Sequence, residues 1–132
     1  MINNTDSVID SRVVIARIDE LESEQADMVE QLSNGEITEA DMVAFDQDEG
    51  AELDILRRLA EEAERYCPDW QDGVALIHKN YFTEYIMELL VDIGDLPREV
   101  PHYIVIDEEA TAENIKQDYI AVDYDGETYY IR

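Results

Sequence analysis

Polar and apolar positions change their period along the chain, and the first pattern is helical. Apolar residues fall at Val14, Ile18, Leu21, Met28 and Leu32, in steps of four and three, with polar Gln25 in the one missing slot. That spacing predicts a narrow stripe suited to a helix pair or coiled coil. Asp10-Ser11 can cap its start, and Asn34-Gly35 ends it. A second helix follows, from Thr38 or from Asp48. Its clearer part carries Leu53, Leu56, Leu59, Ala60, Ala63 and Tyr66 on one face, and Pro68 marks its end. Residues 1–67 therefore read as a helical hairpin behind a loose end at residues 1–7.

Beyond Pro68 the texture changes. Residues 74–77 form a short apolar run after Asp72-Gly73 and suit a strand. Asn80 is placed to cap a third helix bearing Tyr81, Tyr85, Ile86, Leu89, Leu90 and Ile93, which Gly94 closes. Pro97 and Pro101 bracket a loop, residues 103–106 read as a short strand, and Asp107 caps a fourth helix through about Gln117. Two alternating runs, 119–124 and 127–131, flank Asp125-Gly126, the sequence of a type I′ hairpin turn, with Ile120, Val122, Tyr129 and Ile131 on the inner face. The fold class is α+β: an acidic helical region over 1–67, then a small α+β unit over 68–132 that ends in a β-hairpin.

Charge changes this picture most. The chain has 132 residues, with 34 Asp and Glu against 9 Lys and Arg, a formal net charge of −25. At 45% hydrophobic residues it still has material for a core, so it does not read as disordered. A charge of this size opposes compaction and repels nucleic acid and anionic membrane, so the partner it fits is a basic surface. Residues 1–67 carry a net −14 and residues 68–132 a net −11, so the charge lies across folded elements and not in a tail.

No Lys or Arg occurs between Arg17 and Arg57. Within that stretch stand 14 acids: Asp19, Glu20, Glu22, Glu24, Asp27, Glu30, Glu36, Glu39, Asp41, Asp46, Asp48, Glu49, Glu52 and Asp54. If residues 19–54 were one helix, they would span roughly 54 Å, with one charge per ~3.9 Å of axis. One DNA strand carries a phosphate every ~3.4 Å. A solvated helix face normally relieves repulsion with a cation four residues on. This stretch has none, so its carboxylates are candidate phosphate mimics.

Other chemistry is poorly supported. Asp46-Gln47-Asp48-Glu49-Gly50 opens like a calcium loop, but its glycine comes one place early and Arg57 stands where the closing glutamate belongs. Asp123 and Asp125 belong to the hairpin turn. Cys67 is the single cysteine, and with His78 and His102 it makes too few ligands for zinc. His78 is the one candidate general base, although a place in the strand-to-helix loop explains it as well. Glu113 and Lys116 lack the spacing of a nuclease centre. No apolar run approaches 18 residues, and no basic-then-apolar start is present, so a cytoplasmic protein without cofactor or metal is expected.

A family resemblance rests on two clusters. The first is Asp69-Trp70, residues 73–78, Asn80-Tyr81-Phe82, Tyr85 and Asp92-Ile93-Gly94. The second is Ile106-Asp107, Ala110, Ala112, Asp118-Tyr119, Val122-Asp123, Asp125-Gly126, Tyr129 and Arg132. Together they resemble the ArdA-like antirestriction proteins of plasmids and phages over residues 69–132. The resemblance implies DNA mimicry: such proteins are strongly acidic, often dimeric, and occupy the DNA-binding groove of type I restriction enzymes. This chain is shorter than the typical member, and Glu108 stands where related sequences carry Trp. The expected partner is the basic DNA-binding groove of a restriction or CRISPR effector, with no direct binding of nucleic acid or membrane. A homodimer through Val14, Ile18, Leu21, Met28 and Leu32 is expected as well. The alternative is an acidic dimeric adaptor whose charge serves solubility alone.

Overall fold

A computed structural model of the protein describes residues 2–132. It is α+β, with nine elements in chain order: β1 (Val8–Asp10), α1 (Ser11–Ser33), α2 (Glu39–Gln47), α3 (Glu49–Tyr66), β2 (Ala75–His78), α4 (Phe82–Asp92), α5 (Glu108–Lys116), β3 (Ile120–Tyr124) and β4 (Glu127–Ile131). The four strands form one antiparallel sheet in the order β1-β2-β4-β3.

Strand alternation sends successive side chains to opposite faces, and here both faces are covered. On one side, Leu76, Val122, Tyr124, Tyr129 and Ile131 meet Val14 and Leu21 of α1 and Leu53, Leu56, Leu59 and Ala63 of α3. On the other, Ile77 meets Phe82 and Ile86 of α4 and Ala112 of α5, with Tyr119 and Tyr130 packed beside them. The molecule is thus three layers, helices–sheet–helices. Residues from both halves of the chain share one core, so the acidic helices are fixed on the sheet.

Local chemistry sets the boundaries. The Asp10 side chain accepts the Arg12 backbone N–H at 2.9 Å, and its ion pair with the Arg12 guanidinium holds the carboxyl down at about 2. Ser11 is fully buried and ties α1 to the sheet layer: its Oγ donates to the Trp70 carbonyl at 2.8 Å and accepts the Val74 N–H at 2.7 Å. Both starts expected for the second helix are used. Thr38 and Asp41 form a reciprocal capping box for α2, and the chain breaks at Asp48 before α3 begins. Asp125 and Gly126 both take positive φ, 50° and 84°, as a type I′ turn requires. Asp107 accepts the Ala110 N–H at the start of α5, and Gly94, at φ 86°, closes α4.

Several expectations need correction. Residues 2–7 are held, not loose; Met1 lies outside the described residues. Ile2 and Ile9 are buried, Tyr124 donates its hydroxyl to the Ile2 carbonyl, Tyr129 donates to the Asp6 carbonyl at 2.7 Å, and β1 pairs with β2. Asn80 does not cap α4. Its backbone N–H donates to His78 Nδ1 at 3.1 Å, and the helix starts two residues later with Tyr81 at the cap. Residues 103–106 are not a strand, because no neighbouring chain pairs with them. Tyr66 is exposed.

The expected dimer seam is also reassigned. Val14 and Leu21 are fully buried, Ile18 packs on the same core, and Met28 and Leu32 are half-buried. The stripe is a helix-pair seam, but its partner is α3 of the same chain, so Val14 and Leu21 have no surface left for a second copy.

Candidate functional site

Helical geometry explains where the acids stand. At about 100° per residue, Asp19, Glu20, Asp27 and Glu30 lie on the side of α1 opposite the Val14–Leu21 stripe, with Glu22 and Glu24 toward its two margins. Burial follows: Asp19, Glu20, Glu22, Asp27 and Glu30 are exposed, and Glu24 is half-buried. Glu36, Glu39, Asp41, Asp46 and Asp48 are exposed along the turn and α2, as is Asp54 on α3. Of the 14 candidates, 11 are exposed and two, Glu24 and Glu49, are half-buried, so the helical layer presents an acidic face.

That face is not the single rod its length suggested. α1 is about 34 Å long at ~1.5 Å per residue. The chain then turns at Gly35 (φ 76°), and α2 and α3 return against α1. The carboxylates are gathered onto a slab, with Glu24 and Asp27 of α1 brought beside Asp41 and Asp48–Glu49. These five line a groove of about 790 Å³ floored by Met28, Ile37 and Phe45. The nearby Glu24 carboxyl raises the pKa of Glu49 above the usual carboxylate range.

Glu52 is the one candidate withdrawn. It is buried, and it receives both Arg17 Nε, at 2.7 Å to Oε2, and Arg17 Nη2, at 3.0 Å to Oε1. The Arg17 guanidinium holds the Glu52 carboxyl below the usual range. This fork-on-fork pair joins α1 to α3. The sequence contained the signal: Glu52 precedes Leu56, Leu59 and Ala63 by four, seven and eleven residues, so the period that defines the core stripe includes it. The same arginine also reaches Glu20 at 2.8 Å, and Arg57 reaches Glu22 at 3.3 Å. The cations flanking the acidic stretch thus reach two of its exposed acids, Glu20 and Glu22, and no basic side chain is paired with the remaining candidates among the described residues.

The residues weighed for other chemistry take structural places. His78 is buried edge-on to Tyr129, its Nδ1 engaged by the Asn80 N–H and its Nε2 3.4 Å from Glu127. Cys67 is buried, and its thiol donates to the Arg132 carbonyl at 3.3 Å. His102 is exposed beside Tyr103. Among the described residues no group of three or more His, Cys, Asp or Glu converges as a metal site, and no helix is long and apolar enough to cross a membrane.

No protein-family model, curated protein or solved structure matches this chain. The site is therefore defined by its charge and geometry.

Proposed function

We propose that the protein is a DNA mimic: it offers the exposed carboxylates of α1, α2 and α3 to the basic DNA-binding groove of a host defence enzyme and blocks that groove to DNA. One observation carries the reading. Eleven exposed acids lie within residues 19–54, no cation interrupts them, and they are mounted on helices fixed to a sheet core. Rigid mounting matters, because a pre-ordered charged face loses little conformational entropy on binding. The ArdA-like pattern of residues 69–132 agrees with this reading and implies a type I restriction enzyme as the target, while a CRISPR effector would present the same kind of basic groove. The mechanism is competitive and needs no catalysis: carboxylates replace phosphates against Lys and Arg, and counterions leave both surfaces.

The test removes charge and keeps shape. The variant is Asp19→Asn, Asp27→Asn, Glu30→Gln, Glu36→Gln, Asp46→Asn and Asp54→Asn, all exposed and outside the ion pairs and the capping box. At ~0.5 kcal/mol per exposed pair, losing six amounts to about 3 kcal/mol, or roughly a hundredfold weaker binding. Binding to the basic partner retained from a host lysate should fall by that order, with a flatter dependence on salt. Unchanged affinity in a folded variant would move the binding face elsewhere.

A further inference from the structure

The segment between α4 and α5 has the opposite character to the acidic face. Tyr103, Ile104 and Val105 are 76%, 45% and 90% exposed, and Ile106, next in the chain, lines a groove of about 480 Å³ beside α4. One wall of the groove is Met87 and Val91 of α4, and Leu96, Val100 and Ile106 come from the loop that faces it. All five are half-buried, so folding has not used this surface up. An apolar groove that borders exposed apolar side chains marks a docking site.

The rim defines what fits. Glu88, Asp92 and Glu108 border the groove and are exposed, and no Lys or Arg pairs with them among the described residues. Arg98 is the one cation at the rim. Three carboxylates against one guanidinium favour a cationic occupant, and a chain of −25 repels nucleic acid, anionic lipid and its own second copy. The wall selects a helix. Met87 and Val91 stand one turn apart and form a ridge along α4, with Glu88 and Asp92 as a parallel acidic ridge beside it. A helix laid along the groove can set an apolar stripe of that spacing on the first ridge and Lys or Arg on the second. The Met87 thioether adapts to the side chains it meets.

We infer that the groove between α4 and the 96–106 loop docks a basic amphipathic helix of a partner protein. α4 packs on the face of the sheet opposite α1 and α3, so this groove and the acidic face lie on opposite sides of the molecule. The docking is independent of the mimicry and uses none of the carboxylates of residues 19–54.

The probe is a synthetic peptide of about 18 residues, long enough to hold a helix, with Leu along one face and Lys elsewhere. Two control peptides share its length: one replaces Leu by Ala and keeps the charge, the other replaces Lys by Glu and keeps the apolar face. In calorimetry with the full chain, each control should bind about tenfold more weakly than the Leu/Lys peptide or worse. Val91→Gln combined with Val100→Gln changes no charge and should weaken the Leu/Lys peptide about tenfold, at an unchanged melting temperature. Methionine methyl NMR of the wild type reads the place of binding, because Met87 lines this groove and Met28 the acidic one. The Met87 signal should shift with the first equivalent of Leu/Lys peptide, before that of Met28, and should stay in place with the Lys/Ala control. The inference is overturned by a shift of Met28 without Met87, by either control binding as tightly as the Leu/Lys peptide, or by unchanged affinity in a folded double valine variant.

Discussion

The outer face of the helical layer and the segment after α4 are both exposed and both unusual, in opposite ways. The first has 11 exposed acids within residues 19–54; the second exposes Tyr103, Ile104 and Val105 with a net charge near zero. Neither is explained by folding. The acids cost stability through mutual repulsion, and the apolar segment leaves β-forming residues in water. The difference teaches that charge here is placed, not spread. Where α1 meets α3, an arginine neutralises the buried acid it faces; on the outer surface Arg17 and Arg57 reach Glu20 and Glu22, and the other exposed acids of residues 19–54 pair with no cation among the described residues.

The contrast can be broken first at Arg17. Replacing it by Met leaves Glu52 buried without a partner, and loss of one member of such a pair costs about 3 kcal/mol. Asp54→Asn, two residues further along α3 but facing solvent, should stay within about 0.5 kcal/mol of the wild type. Chemical denaturation of the two variants checks both. Equal losses would mean that inner and outer acids are not distinct classes.

Ser11→Ala comes next. It strips the Trp70 carbonyl and the Val74 N–H of one shared partner in a fully buried place, at a cost of about 2 kcal/mol in the same assay. No effect would show that the acidic helices are not anchored there. Gly126→Val should cost about 1 kcal/mol, since a β-branched residue resists the positive φ of the hairpin turn; an equal melting temperature would contradict that turn.

Acid titration separates the two kinds of carboxylate with a smaller effect. The folded value of Glu52 is lowered, so its contribution is present above the ordinary value of 4.5 and is lost as pH falls through the folded value. The folded value of Glu49 is raised, so its contribution is present at low pH and fades as pH rises through the folded value. Melting temperature should therefore rise as pH drops toward 4.5, through Glu49, and fall as pH drops further, through Glu52. Glu49→Gln should flatten the rise and leave the acid-side fall in place.

How much of this was legible in the sequence depends on where the information lay. α1, a helix start at Thr38, the Asp107 cap and the hairpin were readable because local spacing and turn chemistry determine them. β1 was not: three residues carry no period, and they become a strand only because Val8–Asp10 finds β2 almost 70 residues away. Residues 103–106 erred the other way, having strand propensity but no neighbour to pair with. The Val14–Leu21 stripe showed that a helix would be its partner but not which one, since a narrow apolar seam is the same within a chain as between chains. For the acidic site, the run itself was visible while its division was not. Separating Glu52 from Asp54 required carrying the α3 period through a charged residue, where charge argued for solvent and geometry for the core.

The central claim is that the acidic face and DNA compete for one groove. The measurement is displacement of a labelled DNA duplex from a candidate effector, a type I restriction enzyme or a DNA-scanning CRISPR complex, as the protein is titrated in at low and then high salt. The account predicts complete, mutually exclusive displacement that weakens steeply with salt and is largely lost in the six-fold neutral variant. An effector that holds the duplex and this protein together in one complex would contradict it.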